Sequence, residues 1–326
     1  MVKYFIWLIT IFLSLLSIAE ANDNRPLADI KKVYINQLVQ HPALDMTTKG
    51  IIDGLAQLGY VNGKNLDLKV ENAQGDVILA NQIAARLVSL KPDVVVGNPT
   101  ITAQSFIKYA KEGKVKLVFT SVTDPLGAQI VNRLIEPGDN ITGVSNFVAL
   151  EPQIELFKKI KPTMKKIGFL YNPGELNSIT LVNRLKEICP KYGLELVEMT
   201  ASKTSEVYQS AIKLSSLVDA IFISNDNMAL GAFKTIVKAA DAQKIPVFVS
   251  DTDIVKDGAL AALGPNQYEI GKQTARLIAR ILEGGDINKM NVEFPKGTEL
   301  FLNQNAAIKL GIVFPQELLT KADKLI

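Results

Sequence analysis

Two stretches decide the fold: Asp93-Val94-Val95-Val96-Gly97-Asn98-Pro99-Thr100 and Asp219-Ala220-Ile221-Phe222-Ile223-Ser224-Asn225-Asp226-Asn227. Each is a short apolar run that opens on an aspartate and ends in a polar turn. A helical pattern precedes each one. Val77, Ala80, Ala84, Leu87 and Val88 share a face before the first, and Val207, Ala211, Leu214 and Val218 do so before the second. Short runs that are apolar on both faces, separated by helices, belong in parallel sheets covered on two sides. The passages also match upstream, where Leu66-Asp67-Leu68-Lys69-Val70 answers to Leu194-Glu195-Leu196-Val197-Glu198. Aligning Asp93 with Asp219 puts Thr100 opposite Asp226, each at the start of a helix. Two doubly wound lobes facing each other account for this repeat. Ligands of open α/β sheets sit beyond the carboxyl ends of the strands, so the shared cleft is the expected site.

The same alternation runs outward through the chain. Strands are expected over 32–38, 66–70, 93–97, 116–120, 167–171, 194–199, 219–223, 246–249 and 260–263, with a further short one near 292–294. A strand giving way to Glu151-Pro152 marks a first crossing between lobes. Gly264-Pro265 before a helical stretch, and the strand after it, add two more. The expected division is lobe one over 30–146 plus 265–297 and lobe two over 147–264 plus 298–326, joined by a hinge.

At 326 residues, 48% apolar and 21% charged, the chain suits two globular domains. A net charge of +3 without a Lys/Arg block argues against a nucleic-acid partner. One cysteine, Cys189, forbids an intrachain disulfide, and with His41 as the single histidine no Cys/His zinc site can be assembled. The scarcity of imidazole also disfavours enzymes that rely on histidine for proton transfer. Neither GxxxxGK[ST] nor GxGxxG occurs, so both nucleotide cradles are missing, and no cofactor is expected. Residues 1–21 combine Lys3, an apolar run over 4–18 and Ala19-Glu20-Ala21. That pattern predicts a secretory signal cleaved after Ala21, with a retained membrane anchor as the alternative. No cysteine follows the run, so a lipid anchor is not expected.

The informative side chains lie where strands pass into helices. His41, Thr100, Thr123, Asp124, Tyr171, Asn177, Ser178, Asp226, Asn227 and Asp251 occupy such junctions, together with Gln37 and Asn98 at strand ends. Helix N-termini with hydroxyl neighbours suit a ligand carboxylate, and an aspartate suits an ammonium. The competing reading makes Thr100, Asp124 and Asp226 plain N-caps. Phe147, Tyr171 and Tyr268 are expected near the cleft or hinge, where rings cover an apolar ligand side chain, or else in the core.

The motifs then form a recognisable series. His41-Pro42-Ala43-Leu44-Asp45, Asn72-Ala73-Gln74-Gly75-Asp76, Val122-Thr123-Asp124-Pro125 and Asn140-Ile141-Thr142-Gly143-Val144-Ser145 come first. Gly168-Phe169-Leu170-Tyr171-Asn172-Pro173, with Glu175, Asn177 and Ser178, then Asp226-Asn227 and Leu302-Asn303, follow in order. From about residue 31 to 326 the chain resembles the ABC-transporter substrate-binding family that includes tryptophan-binding-type lipoproteins. The resemblance implies a type I periplasmic binding protein: two lobes, a three-strand hinge, and a small ligand in the cleft, often an aromatic amino acid. It also implies a membrane permease and a separate ATPase as partners; a monomeric receptor is expected, and the missing lipoprotein cysteine favours one that diffuses freely in the periplasm. Two departures stand out. The lipoprotein cysteine is missing, and Asn98-Pro99-Thr100-Ile101-Thr102 varies a stretch that more often reads Thr-Pro-Ala-Ala-Gln. The alternatives are an exported α/β enzyme using Asp124, Asp226 or Asp251, and a receptor for a sugar or another small molecule.

Overall fold

The computed structural model describes residues 30–326; the expected signal over 1–21 lies outside the described residues. Strands β1 (Lys31–Gln37), β2 (Leu66–Asn72), β3 (Val94–Asn98), β4 (Leu117–Val122) and β5 (Ile141–Ser145) form one sheet in the order β2-β1-β3-β4-β5. All its pairs are parallel. The period of two along β3 sorts its side chains between two helical layers. Val95 joins Tyr34, Leu117 and Phe119 against the helices Val77–Ser89 and Thr100–Lys111. Val94 and Val96 face the other way, with Val33, Ile35 and Val118, onto the helices Pro42–Gln57 and Gln267–Leu282.

The second sheet holds β6 (Lys166–Tyr171), β7 (Glu195–Thr200), β8 (Ala220–Ile223), β9 (Val247–Val249), β10 (Ala261–Gly264), β11 (Glu299–Leu302) and β12 (Lys324–Leu325). Its order is β12-β11-β10-β9-β8-β6-β7, parallel except where β10 meets β11. One face carries an aromatic cluster, with Phe157 stacked on Phe248 at 4.3 Å and edge-on to Phe222 at 5.0 Å. The opposite face packs Leu170, Ile221, Ile223 and Val249 under Val207, Ala211, Leu214 and Ile236.

The internal repeat has a physical basis at its two aspartates. Asp93 accepts from the Lys32 backbone N–H at 2.8 Å, and Asp219 accepts from those of Lys165 and Lys166, each at 2.8 Å. Each carboxylate thus ties the start of its own strand to its neighbour's.

The chain passes between the sheets three times, after β5, after β10 and before β11. The strand expected near 292–294 is reduced to a single bridge between Val144 and Glu293. Val292 spends its N–H on the Leu134 carbonyl at 2.8 Å, and Pro295 follows two residues after Glu293, so the ladder has nothing to extend it. The helix Gln267–Leu282 leaves the second sheet and returns to the first, where it docks on Pro42–Gln57. Glycine at the crossing makes this possible. A Cβ on Gly50 would sit 2.1 Å from the Tyr268 carbonyl oxygen, and one on Gly271 2.1 Å from that of Thr47.

Candidate functional site

The carboxyl ends of both sheets converge on a small, largely closed cavity. His41 and Thr100 reach it from the segments after β1 and β3, with Ser121, Thr123 and Asn146 following from β4 and β5. From the second lobe come Asn177, Asn225, Asn227 and Asp251, and Gln267 enters at the second crossing. Ala43, Leu44, Pro99 and Leu230 supply the apolar part of the wall.

Four of these residues carry a buried polar atom without a hydrogen-bond partner: His41 Nδ1, Thr100 Oγ1, Asn177 Oδ1 and Asp251 Oδ2. The residues are 5%, 1%, 3% and 1% exposed. Buried polar atoms are nearly always paired, and leaving one unpaired costs about 1–3 kcal/mol. Four on one cavity wall leave hydrogen-bonding capacity open to a polar molecule.

The electrostatics follow from burial. Asp251 spends Oδ1 on the Asp253 N–H at 3.0 Å, and its carboxyl is pushed up to about 8 by burial, with Asp253 adding to the shift. Burial drives His41 down to about 4, so its imidazole is neutral. The helix Thr100–Lys111 starts without a side-chain cap, leaving N–H groups beside the Thr100 hydroxyl.

Polar contacts close the lobes over this cavity. His41 Nε2 meets Asn227 Oδ1 at 3.4 Å. Asn225 Nδ2 donates to Thr123 Oγ1 at 3.3 Å and to Asn146 Oδ1 at 3.4 Å. Thr180 Oγ1 donates to Asp124 Oδ2 at 3.5 Å, farther out.

Of the residues singled out in the sequence, His41, Thr100, Thr123, Asn177, Asn227 and Asp251 line the cavity. The other six do not. Gln37 and Asn98 stand behind the wall, both bonded to the Thr48 hydroxyl. Asp124 holds the following turn through the Gly127 N–H. Asp226 is an N-cap and a buried node: it accepts from Ala229 N at 2.8 Å, Asn172 N at 2.7 Å and Ser178 Oγ at 2.7 Å. Those bonds also consume Ser178, and they leave Asp226 no oxygen for a ligand ammonium. Asp226→Ala should therefore lower the melting temperature, because it removes a cap worth about 1 kcal/mol and strands the Asn172 N–H and Ser178 hydroxyl at about 1–3 kcal/mol each, and it should leave ligand affinity within about threefold of wild type, because Asp226 does not line the cavity. Calorimetry with a parallel melting curve checks this, and a large drop in affinity would restore Asp226 to the site.

The aromatic side chains also lie elsewhere. Tyr171 packs against Phe169 at 5.6 Å and donates its hydroxyl to Glu198 at 3.0 Å. Phe147 lies under the Arg184 guanidinium at 4.4 Å. Tyr268 bonds Asp53 at 2.9 Å with Lys49 and Lys272 over its ring. Each found a polar partner for one face or its hydroxyl on a lobe's own surface or in its core. Ser121, Asn146 and Asn225 also line the cavity and were not among the candidates, although they sit at or just after strand ends as the other junction residues do, so that signal was present. Gln267 carried none, because helix docking alone brings it in. Among the described residues no group of three or more His, Cys, Asp or Glu stands placed for a metal.

This architecture, two α/β lobes closed on a polar cavity, is that of a substrate receptor, and residues 32–326 match the family model for ABC transporter substrate binding protein. The chain belongs to that family. It is 34% identical over 275 residues to the tyrosine-binding protein of Clostridioides difficile, covering 84% of this chain and 79% of that one. It is 33% identical to a Streptococcus pneumonia protein solved in complex with L-Trp, with a TM-score of 0.87 over 91% of this chain and 99% of that one. A ligand-free, open substrate-binding protein with adhesive properties from Clostridium difficile is also 33% identical, with 90% and 99% covered, but its TM-score is 0.68. At equal identity, the lobe arrangement is closer to that of the tryptophan complex than to that of the open protein.

Proposed function

We propose that this chain captures an aromatic amino acid, tryptophan or tyrosine, in the interlobe cavity and delivers it to a membrane permease driven by a separate ATPase. It works in the periplasm, released from its signal, and leaves the ligand chemically unchanged. The observation that carries the ligand class is the set of four unpartnered buried atoms on one cavity. Asp251 Oδ2 and Asn177 Oδ1 are acceptors suited to an ammonium, whereas the Thr100 hydroxyl beside uncapped helix N–H groups suits a carboxylate. A zwitterion uses both ends. The relatives that bind tyrosine and tryptophan support an aromatic side chain, which Leu44, Pro99 and Leu230 would flank.

Closure is the expected motion, since His41 and Asn227 belong to different lobes and meet only when the cleft shuts. Equilibrium dialysis of the mature protein with tryptophan, tyrosine, phenylalanine and leucine, against ribose and glutamate, tests the reading. Retention of the aromatic amino acids without turnover is the expected result. Retention of ribose and none of the four amino acids would overturn the ligand class.

A further inference from the structure

Glu175 lies behind the cavity wall, and the buried network it organises sets the polarity of the cavity. It precedes the helix Leu176–Ile188, is 3% exposed, and caps no N–H of that helix with its side chain. Its carboxylate receives four N–H groups instead. Asn177 Nδ2 reaches it at 3.1 Å, Asn227 Nδ2 at 2.5 Å, and the backbone N–H groups of Asn227 and Met228 at 3.1 and 3.2 Å. All four partners are donors, so they fit an oxygen-only acceptor.

The orientation of two side-chain amides follows. Asn177 gives one Nδ2 hydrogen to Glu175 and the other to the Asn225 carbonyl at 2.6 Å, which leaves Oδ1 as its free end on the cavity. Asn227 also turns its Nδ2 to Glu175, so the atom it offers to His41 Nε2 is Oδ1, at 3.4 Å. An amide oxygen only accepts, so the neutral imidazole carries its proton on Nε2. His41 Nδ1 is then a bare acceptor, and it is one of the unpartnered atoms. With Asp251 Oδ2 in the ionised form, the cavity has three buried acceptors that lack donors. A primary ammonium has three N–H donors to match them.

We propose that Glu175 is a positioning residue that makes this cavity select ligands with a free primary ammonium: it fixes the amides of Asn177 and Asn227, and through Asn227 the His41 tautomer, so that only acceptors face the amine. This deepens the amino-acid reading above and rests on it. Glu175 touches no ligand and acts through its two asparagines. In Glu175→Gln, one oxygen becomes an NH₂ group facing donors: at the Oε2 place it opposes three of them, and an asparagine amide must turn and present N–H to the cavity, whereas at the Oε1 place it opposes the Met228 N–H.

The test compares L-tryptophan with indole-3-propionate, which keeps the ring and the carboxylate and lacks the amine. Calorimetry on wild type should give a preference for tryptophan of roughly 100-fold or more, as expected of a site built around N–H groups that the analogue lacks. In Glu175→Gln that ratio should shrink by about tenfold or more, through weaker tryptophan binding with indole-3-propionate little changed. If Glu175→Gln does not fold, Glu175→Asp keeps the charge but withdraws it by one methylene, and the same ratio is read. Equal weakening of both ligands, with the ratio unchanged, would show a merely structural role and overturn the proposal. Wild type binding both ligands equally would overturn ammonium selection itself. Wild type binding neither would remove the amino-acid reading and this inference with it, an outcome distinct from the first.

Discussion

Asp251→Ala should weaken binding of an aromatic amino acid by roughly 10- to 150-fold at a pH where the wild-type carboxyl is ionised. A charge-assisted hydrogen bond in a buried site contributes about 1.5–3 kcal/mol. The effect should depend on pH, because burial holds the free carboxyl protonated up to about 8. A ligand ammonium favours the carboxylate, so binding near pH 7 should release a proton. Wild-type affinity should therefore rise by up to roughly 100-fold from about pH 6 to about pH 8, one decade for each unit below the free pKa. In Asp251→Ala that rise should largely vanish, and the groups left to give a slope are Glu175, which burial and Asp226 push up to about 7, and Asp253, which burial pushes up to about 6. Without ligand the sign is opposite. The folded chain keeps a proton on Asp251 that the unfolded chain gives up near pH 4, so unliganded stability should fall as pH rises from about 4 to about 8. Calorimetry in buffers of different ionisation heat measures the proton release. Equal pH slopes in both proteins would overturn this role for Asp251.

Gly271→Val should be strongly destabilising. Its first side-chain carbon would lie 2.1 Å from the Thr47 carbonyl oxygen and 2.8 Å from the Gly50 Cα, and both obstacles are backbone. The helices Pro42–Gln57 and Gln267–Leu282 must then separate, and overpacking of this kind costs about 1–3 kcal/mol, or more where backbone has to shift. The damage should reach the ligand as well. Thr47 Oγ1 donates to Gln267 Oε1 at 3.2 Å and meets Ser121 Oγ at 3.1 Å, and both Gln267 and Ser121 line the cavity. Urea unfolding should show a lowered midpoint, and ligand affinity should fall with it. Gly231→Ala is the control: nothing lies within 4 Å of its added carbon, and alanine suits a helix better, so stability should hold or rise. A Gly271→Val midpoint equal to wild type would mean that the helices do not approach as closely as they do here.

The amino-acid sequence determined the alternation of strand and helix, because short runs such as Val94-Val95-Val96 and Ile221-Phe222-Ile223 cannot satisfy both faces except between helical layers. It also placed polar residues at the carboxyl ends of strands, and the ordered motifs identified the family. Local chemistry suffices for these features, since periodicity and junction residues are set within about ten positions of one another.

Tertiary structure decided which polar atoms face the ligand. Asp226 and Asp251 both follow a buried strand and both cap the next turn, so they look alike in sequence. They differ in what surrounds the second oxygen. Asn172 and Ser178, some 50 positions away, close around that of Asp226, and no protein donor reaches that of Asp251. Tyr171 and Tyr268 likewise turned to Glu198 and Asp53 and away from the cleft. Gln267 entered the cavity only because Gly50 and Gly271 let two helices meet backbone to backbone. Glu175 gained its place in the network through Asn227, 52 positions downstream. Hydrogen-bond partners from distant segments are chosen by how the lobes pack, and no local pattern encodes that choice.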